Sequence, residues 1–515
     1  MLKKQLMNIS NKPISGFQMI NTEIVKEQEI SNYLKSNALT FNSICDDSRR
    51  VEIGDLYISI PPVSGISPLS YIQEAINRGA CIVIVDESLD LSSLVCPQEL
   101  DVVLIAVKNP RLAKALLASA QFPKKPDYLF GVTGTNGKSS VASFVNQLCQ
   151  SLGYSSAFMG TTGYEGPEEI IQELPNVTLT SVDALVLHKC MNKLKELSVN
   201  CLSLEASSHG LDQSRLEGLE FSAAGFTNIE VDHLDYHKTF DHYCAAKQRL
   251  FSTVLSPNGV AVINIDVPYA NEMIKAAGSR KIMTYGRGEA DIQLLSISYL
   301  DDAQELSLKI FGALHTVTLP LIGDFQAMNA LCAFGMVYGV FGRLQECLQG
   351  LSGLKAVSGR MQKAGQTPAG GLVYVDYAQN SDGMKTALNA IRPYVKNKLT
   401  VLFGCGGGRD LSRRQGMGKA AYEGADRVII TDDNPRYESP HEIRKILMDT
   451  CPGAIEMANR KEAISFALST LEKGDVCLIA GKGHERFEQV GDEKTPYNDF
   501  EEAQKNIKLL RGVCS

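Results

Sequence analysis

Residues Gly131 to Ser139, GVTGTNGKS, constrain the fold and chemistry of this chain more than any other stretch. They follow an apolar run, Tyr128-Leu129-Phe130, which predicts a strand. They open a segment whose apolar residues Val141, Phe144, Val145, Leu148, Cys149 and Leu152 recur at spacings of three and four, which predicts a helix. A strand, a glycine-rich turn and a helix form the frame of a nucleotide-phosphate loop. Gly134 and Gly137 let the backbone of Thr135 and Asn136 turn tightly, so that several N–H groups converge on phosphate oxygens at the helix's positive end. Lys138 can then reach the terminal phosphates, and the Ser139 hydroxyl can ligate Mg²⁺. A glycine-rich turn without a ligand would not need a Lys and a Ser in register. The pattern predicts binding of ATP or a close relative.

At 515 residues the chain is too long for one core, and its length suggests about three domains. A formal charge of −7 implies no broad cationic surface and argues against a general nucleic-acid binder. No apolar run approaches the ~20 residues of a membrane-spanning helix. The start, MLKKQLMNISNK, has no apolar core of the kind a secretory signal carries. The thirteen cysteines are scattered without CxxC pairs, and most sit in apolar strand-like runs, as Cys81, Cys201 and Cys477 do. A reducing, cytoplasmic compartment is expected.

Three segments are expected: 1–126, 127–352 and 353–515. The first carries strand-like runs at Leu56 to Ile60, Cys81 to Val85 and Val102 to Ala106, and closes on a linker, Lys124-Lys125-Pro126. In the second, Cys201 to Leu204 leads into Glu205, Ala224 to Thr227 into Asn228, and Val260 to Ile263 into Asn264. The third repeats the habit. Leu372 to Val375 ends at Asp376, Thr400 to Phe403 at the run from Gly404 to Asp410, Arg427 to Ile430 at Asp432 to Arg436, and Val476 to Ile479 at Gly481 to Glu485. In open α/β sheets ligands gather where strands end, so chemistry is expected at these polar residues.

Glu205 and His233 follow separate predicted strands and could both reach a Mg²⁺ near the phosphate loop, although a carboxylate suits this hard ion better than an imidazole does. A solvated strand end and a turn histidine are the plainer readings. Lys247 lies on a predicted helix in YCAAKQRLF, and composition alone makes it an ordinary solvated lysine. Arg409 and Arg436 fall on neighbouring strand-end loops and could clamp a carboxylate. Asn434 and Glu485 add an amide and a carboxylate, which suits a ligand bearing both carboxylate and ammonium groups. A surface salt-bridge network is the alternative.

These residues together resemble the Mur ligase family, over nearly the whole chain and with many motifs in order. The resemblance implies an α/β protein of three domains: an N-terminal α/β domain for a uridine nucleotide, a central P-loop ATPase-like α/β domain, and a C-terminal Rossmann-like α/β domain for an amino acid. Asp47-Ser48-Arg49 with Gly54-Asp55-Leu56 matches the family's uridine-nucleotide motif, with Ser48 the expected contact. Gly134 to Ser139 matches its ATP loop. Thr180-Ser181 resembles the pair that contacts the muramoyl peptide. Glu205 to Gly210 matches a signature whose Glu binds Mg²⁺ and whose first serine, Ser207, contacts the UDP-substrate. Gln213 and Arg215 fall on further substrate positions. Thr227-Asn228 through Asp232-His233 matches a motif whose histidine ligates Mg²⁺. Lys247 aligns with a lysine carbamylated in the family, where it helps bind the metal. Asn329 matches an adenine-side asparagine, and Gly359-Arg360-Met361 a motif near the ATP. Asp433-Asn434-Pro435-Arg436 is the family's signature for meso-diaminopimelate, and Arg409, Gly481 and Glu485 fall on the other positions that grip it.

The implied reaction is ATP-dependent addition of meso-2,6-diaminopimelate to a UDP-muramoyl dipeptide through an acyl phosphate, with Lys138, Glu205, His233 and Lys247 carrying the chemistry and Mg²⁺ held with Ser139. A monomer with no nucleic-acid or membrane partner is expected, closing its domains around the reactants. His209 is a candidate for the base that deprotonates the amine. Departures stand beside the match. Gln379 replaces the histidine of the family's DYAHTPD, Gly408 an aspartate of GCGGDRD, Gln415 a proline and Gln326 an asparagine. The open alternatives are the same reaction with L-lysine, a low-activity or non-catalytic binder of UDP-muramoyl peptides, and a folate-polyglutamate ligase sharing the ATP architecture.

Overall fold

The computed structural model describes residues 18–19, 26–61, 67–97, 100–172, 180–408 and 410–512. The first residues, Met1 to Lys12, and Arg409 lie outside them. Three α/β sheets follow one another along the chain. The first has five parallel strands, ordered Gln18–Met19, Val103–Val107, Ile82–Asp86, Leu56–Ile58, Ile44–Cys45. All three runs expected in this segment form strands, because aliphatic residues packed on both faces leave no room for alternation.

The second sheet has ten strands. Its centre is Tyr128–Thr133, flanked by Cys201–Glu205 on one side and Phe221–Phe226 on the other, all parallel. The expected helix runs Lys138–Ser151 and packs with the apolar helix Asp324–Phe341 on one face. The opposite face is covered by Ala184–Glu196, Phe240–Arg249 and Ala270–Ala277. Beyond Leu255–Asn264 the sheet continues through Lys281–Gly286 into an antiparallel meander, Ile292–Tyr299, Gln304–Ile310 and Ala313–Leu319. This meander carries none of the residues expected to act.

The third sheet has six strands, with Leu372–Asp376, Val476–Ala480, Leu399–Phe403 and Arg427–Ile430 parallel at its centre. Their C-terminal ends share one edge, as expected. A fully buried ion pair braces that edge. Arg460 donates to both carboxylate oxygens of Asp499 at 2.7 Å and to the Ala480 carbonyl at 2.9 Å, and the Tyr497 hydroxyl donates to Asp499 at 3.1 Å. Removing either charge would strand the other in a dry interior. No helix among the described residues is long and apolar enough to cross a membrane. The twelve described cysteines form no disulfides and are mostly buried, as expected of small apolar side chains.

Candidate active site

The phosphate loop takes its shape from what lies against it. Gly134 has φ +156°, and a β-carbon there would sit 1.9 Å from Thr227 Oγ1; at Gly137, φ +87°, it would sit 2.4 Å from Asn329 Oδ1. Only glycine fits either position. The strand-end pair Thr227-Asn228 braces the loop from outside. The Thr227 hydroxyl donates to the Asn136 carbonyl at 2.6 Å, and the Asn136 N–H donates to Asn228 Oδ1 at 2.9 Å. Thr135 Oγ1 lies 2.9 Å from the Tyr243 hydroxyl. The Lys138 ammonium donates to the Gly134 and Thr135 carbonyls, both at 2.8 Å.

One cavity opens beside this loop, lined among others by Lys138, Thr180, Ser207, Arg215, His233 and Lys247. Lys247 is 1% exposed, which overturns the composition-level reading of a solvated lysine. Its helix presses Tyr243, Cys244 and Ala246 into the core together with it, and its ammonium donates to the Gly134 carbonyl at 2.8 Å. Burial, reinforced by the nearby Lys138 charge, holds the Lys247 ammonium pKa well below its ordinary value; burial also lowers that of Lys138. Glu205 is 2% exposed rather than a solvated strand end. Its Oε1 accepts from the Thr161 N–H at 2.7 Å and its Oε2 from the Thr161 hydroxyl at 3.2 Å. His233 caps a short helix in the left-handed region, φ 51°, which is the turn role considered for it, yet its half-exposed ring lines the cavity. Its ring centroid lies 4.8 Å from that of His209, whose pKa is lowered by burial and then by its neighbouring histidines.

The residues expected to contact the UDP-substrate form a continuous chain from Glu205. Ser181 Oγ donates to the Glu205 carbonyl at 2.9 Å and lies 2.9 Å from Ser207 Oγ. Arg215 donates to the Ser181 carbonyl and to Gln213 Oε1, both at 2.7 Å. Thr180 Oγ1 accepts from Thr161 at 3.1 Å. Ser48 stands apart, on the one-turn helix Ser48–Arg50 beside the first sheet, 4% exposed and donating to Glu74 at 2.5 Å. Around the residues expected to meet the adenine, Gln326 accepts from Asn329 at 3.1 Å and donates to the Arg360 carbonyl at 3.3 Å. The unexpected glutamine thus joins two expected ATP contacts. The Arg360 guanidinium lies over the Tyr377 ring at 4.8 Å. Among the described residues no three His, Cys, Asp or Glu side chains form a metal cage. A hard cation bound here would need oxygens from its ligands to complete its shell.

A second cavity lies at the C-terminal edge of the third sheet and brings together Asp433, Asn434, Arg436, Gly481 and Glu485. Pro435 is not among the lining residues; its carbonyl oxygen lies against Gly407, where a β-carbon would sit 1.9 Å from it. Arg436 is held at φ 52°, a costly conformation for a non-glycine residue; its N–H donates to the Gln489 carbonyl at 3.2 Å and its guanidinium donates to the Gly407 carbonyl. Glu485 accepts from Asn434 at 2.7 Å and from Gln379 at 3.2 Å. Burial, and then the Asp433 charge, raise its carboxyl pKa. Gln379, Arg413 and Arg414 also line this cavity, and only the first had drawn attention in the sequence, as a departure. The double arginine at 413–414 was a signal available in the sequence.

The family model described as the Mur ligase middle domain matches residues 132–337, and that described as the Mur ligase glutamate ligase domain matches residues 359–483. The chain is 41% identical over 471 residues to the UDP-N-acetylmuramoyl-L-alanyl-D-glutamate–2,6-diaminopimelate ligase of Bradyrhizobium diazoefficiens, covering 90% of this chain and 94% of the relative. It is 38% identical over 483 residues to the protein of the same name in Rhizobium meliloti, covering 93% and 97%. A solved structure of a ligase of that name superimposes with a TM-score of 0.68 at 31% identity, over 92% of this chain and 95% of the other. Identity at this level, sustained across all three sheets, shows that the chain belongs to the Mur ligase family of ATP-dependent amide-bond-forming enzymes.

Proposed function

We propose that this enzyme joins meso-2,6-diaminopimelate to UDP-N-acetylmuramoyl-L-alanyl-D-glutamate, with cleavage of ATP to ADP and phosphate, in cytoplasmic peptidoglycan precursor synthesis. The observation that carries this reading is the second cavity, where Asn434 and Arg436 stand beside the carboxylates Asp433 and Glu485. Diaminopimelate has two carboxylates and two ammonium groups, and this mixture of cations and anions complements both. Arg409 joins the same ligand contacts.

Gly134 to Ser139 hold the ATP phosphates, and Asn329 and Arg360 the nucleoside side. Ser48 holds the uridine nucleotide; Thr180, Ser181, Ser207, Gln213 and Arg215 hold the muramoyl peptide. Lys138 screens the charge between the γ-phosphate and the D-glutamate side-chain carboxylate, two anions that otherwise repel. A carboxylate oxygen attacks phosphorus, ADP leaves, and an acyl phosphate remains. The neutral amine of diaminopimelate adds to its carbonyl carbon, and phosphate departs with the oxygen it captured. Ser139, Glu205, His233 and a carbamylated Lys247 suit Mg²⁺, which when bound supplies further charge neutralisation. Carbamylation requires a neutral amine, and the depressed basicity of Lys247 favours it. Functional boundaries near residues 126 and 352 put the three ligands on separate domains, which close around the reactants. Cysteines without disulfides suit a reducing compartment.

The test is exchange of the amino acid. Purified enzyme with ATP and the UDP-dipeptide should form more product with meso-diaminopimelate than with L-lysine. Faster reaction with lysine would overturn the assignment.

A further inference from the structure

Lys482 is fully buried, 0% exposed, at the end of the strand Val476–Ala480. The phosphoryl-transfer chemistry does not use it. Its ammonium donates to Asn434 Oδ1 at 2.7 Å and lies 3.9 Å from Asp433 Oδ1 and 3.8 Å from Glu485 Oε2. Two carboxylates within 4 Å make a dry ammonium tolerable. They do not explain why its short hydrogen bond goes to an amide instead.

The Asn434 amide has a defined orientation. Its oxygen accepts from Lys482 and from the Gln489 backbone N–H at 2.9 Å. Both are obligate donors, so an NH₂ group cannot occupy that place. The NH₂ then lies on the side of Glu485, which lines the cavity with it. One of its hydrogens goes to Glu485 Oε2 at 2.7 Å, and the other has no partner among the described residues. That hydrogen is a donor left for a ligand at the cavity wall.

We propose that Lys482 is a positioning residue of the amino-acid cavity, holding the Asn434 amide so that one N–H is presented to a ligand carboxylate. The inference rests on reading this cavity as the diaminopimelate site, and it bears on how that ligand is preferred. Lysine lacks the second carboxylate. A donor aimed there lowers the energy of bound diaminopimelate and gains nothing from lysine. With Lys482 gone, the Gln489 N–H and Glu485 still set which way the amide faces, but its oxygen keeps one hold instead of two, so the amide swings more freely and presents its N–H to the ligand less precisely.

The test is Lys482→Met in the full chain, assayed with meso-diaminopimelate and L-lysine varied in turn. Loss of one hydrogen bond to a charged group predicts a rise of about tenfold in KM for diaminopimelate. KM for lysine, ATP and the UDP-dipeptide, and kcat, should stay within about twofold. In an Asn434→Ala background the same substitution should add nothing, because Lys482 acts through that amide. An unchanged KM for diaminopimelate, a parallel loss in every constant, or a full effect without Asn434 would each overturn the proposal. If K482M does not fold, Lys482→Gln, neutral and shorter, should raise the same KM by about threefold or more, and a wild-type value would overturn it. If the wild-type enzyme releases no ADP with either amino acid, the ligase reading fails. Calorimetric titration of both chains with diaminopimelate then tests this inference separately, with weaker binding to K482M expected and equal binding contradicting it.

Discussion

The two cavities recognise their ligands by opposite means. The phosphate loop is built from backbone: tight glycines at 134 and 137, a helix end, and one lysine. The second cavity is built largely from side chains that follow four separate strands, Gln379, Arg413 on the helix Leu411–Gly424, Asn434 with Arg436, and Glu485. Backbone amides read any polyphosphate, so the loop fixes the class of chemistry and leaves the product open. Charged side chains held by partners far away in sequence read one arrangement of carboxylates and amines. General chemistry sits in one contiguous motif, and specificity is dispersed.

That contrast can be broken by substitution. Lys138→Met should lower turnover by about a thousandfold or more whichever amino acid is offered, because it removes charge compensation at the transferred group; initial rates of ADP release measure it. Arg460→Met should destabilise the third sheet by about 3–5 kcal/mol by leaving Asp499 buried and alone, read as an earlier first transition in urea. Arg436→Met should raise KM for diaminopimelate by about tenfold to a hundredfold while KM for ATP holds. An equal rise in both would erase the division between the cavities. Gln379→His should change KM for diaminopimelate by about threefold at most, since either side chain can donate to Glu485.

Much of this was legible in the sequence. Each run expected as a strand in the second and third segments formed one, because parallel strands covered on both faces are continuous apolar runs ending in polar residues. The meander from Ile292 to Leu319 was not seen; its exposed Leu295, Leu314 and Tyr299 blur the alternation that marks a half-buried strand. Lys247 shows the limit of residue-level reasoning. Whether a helical lysine is solvated depends on what packs over it, and here that is the loop carbonyl of Gly134, far away in sequence. Resemblance, and not composition, singled it out. The role of Lys482 is hidden for the same reason, since its partner Asn434 is set by sheet order; Gln379 stands out in the sequence as a departure, but its contact with Glu485 does not.

The central claim is that a phosphate loop serves to activate a carboxylate. It is tested most directly by following the carboxylate oxygen. A UDP-dipeptide labelled with ¹⁸O in the D-glutamate side-chain carboxylate is incubated with enzyme, ATP and meso-diaminopimelate, and the released phosphate is examined by mass spectrometry. Attack of carboxylate on the γ-phosphorus, followed by C–O cleavage, predicts one labelled oxygen in each phosphate formed with product. Unlabelled phosphate accompanying amide formation would contradict the account.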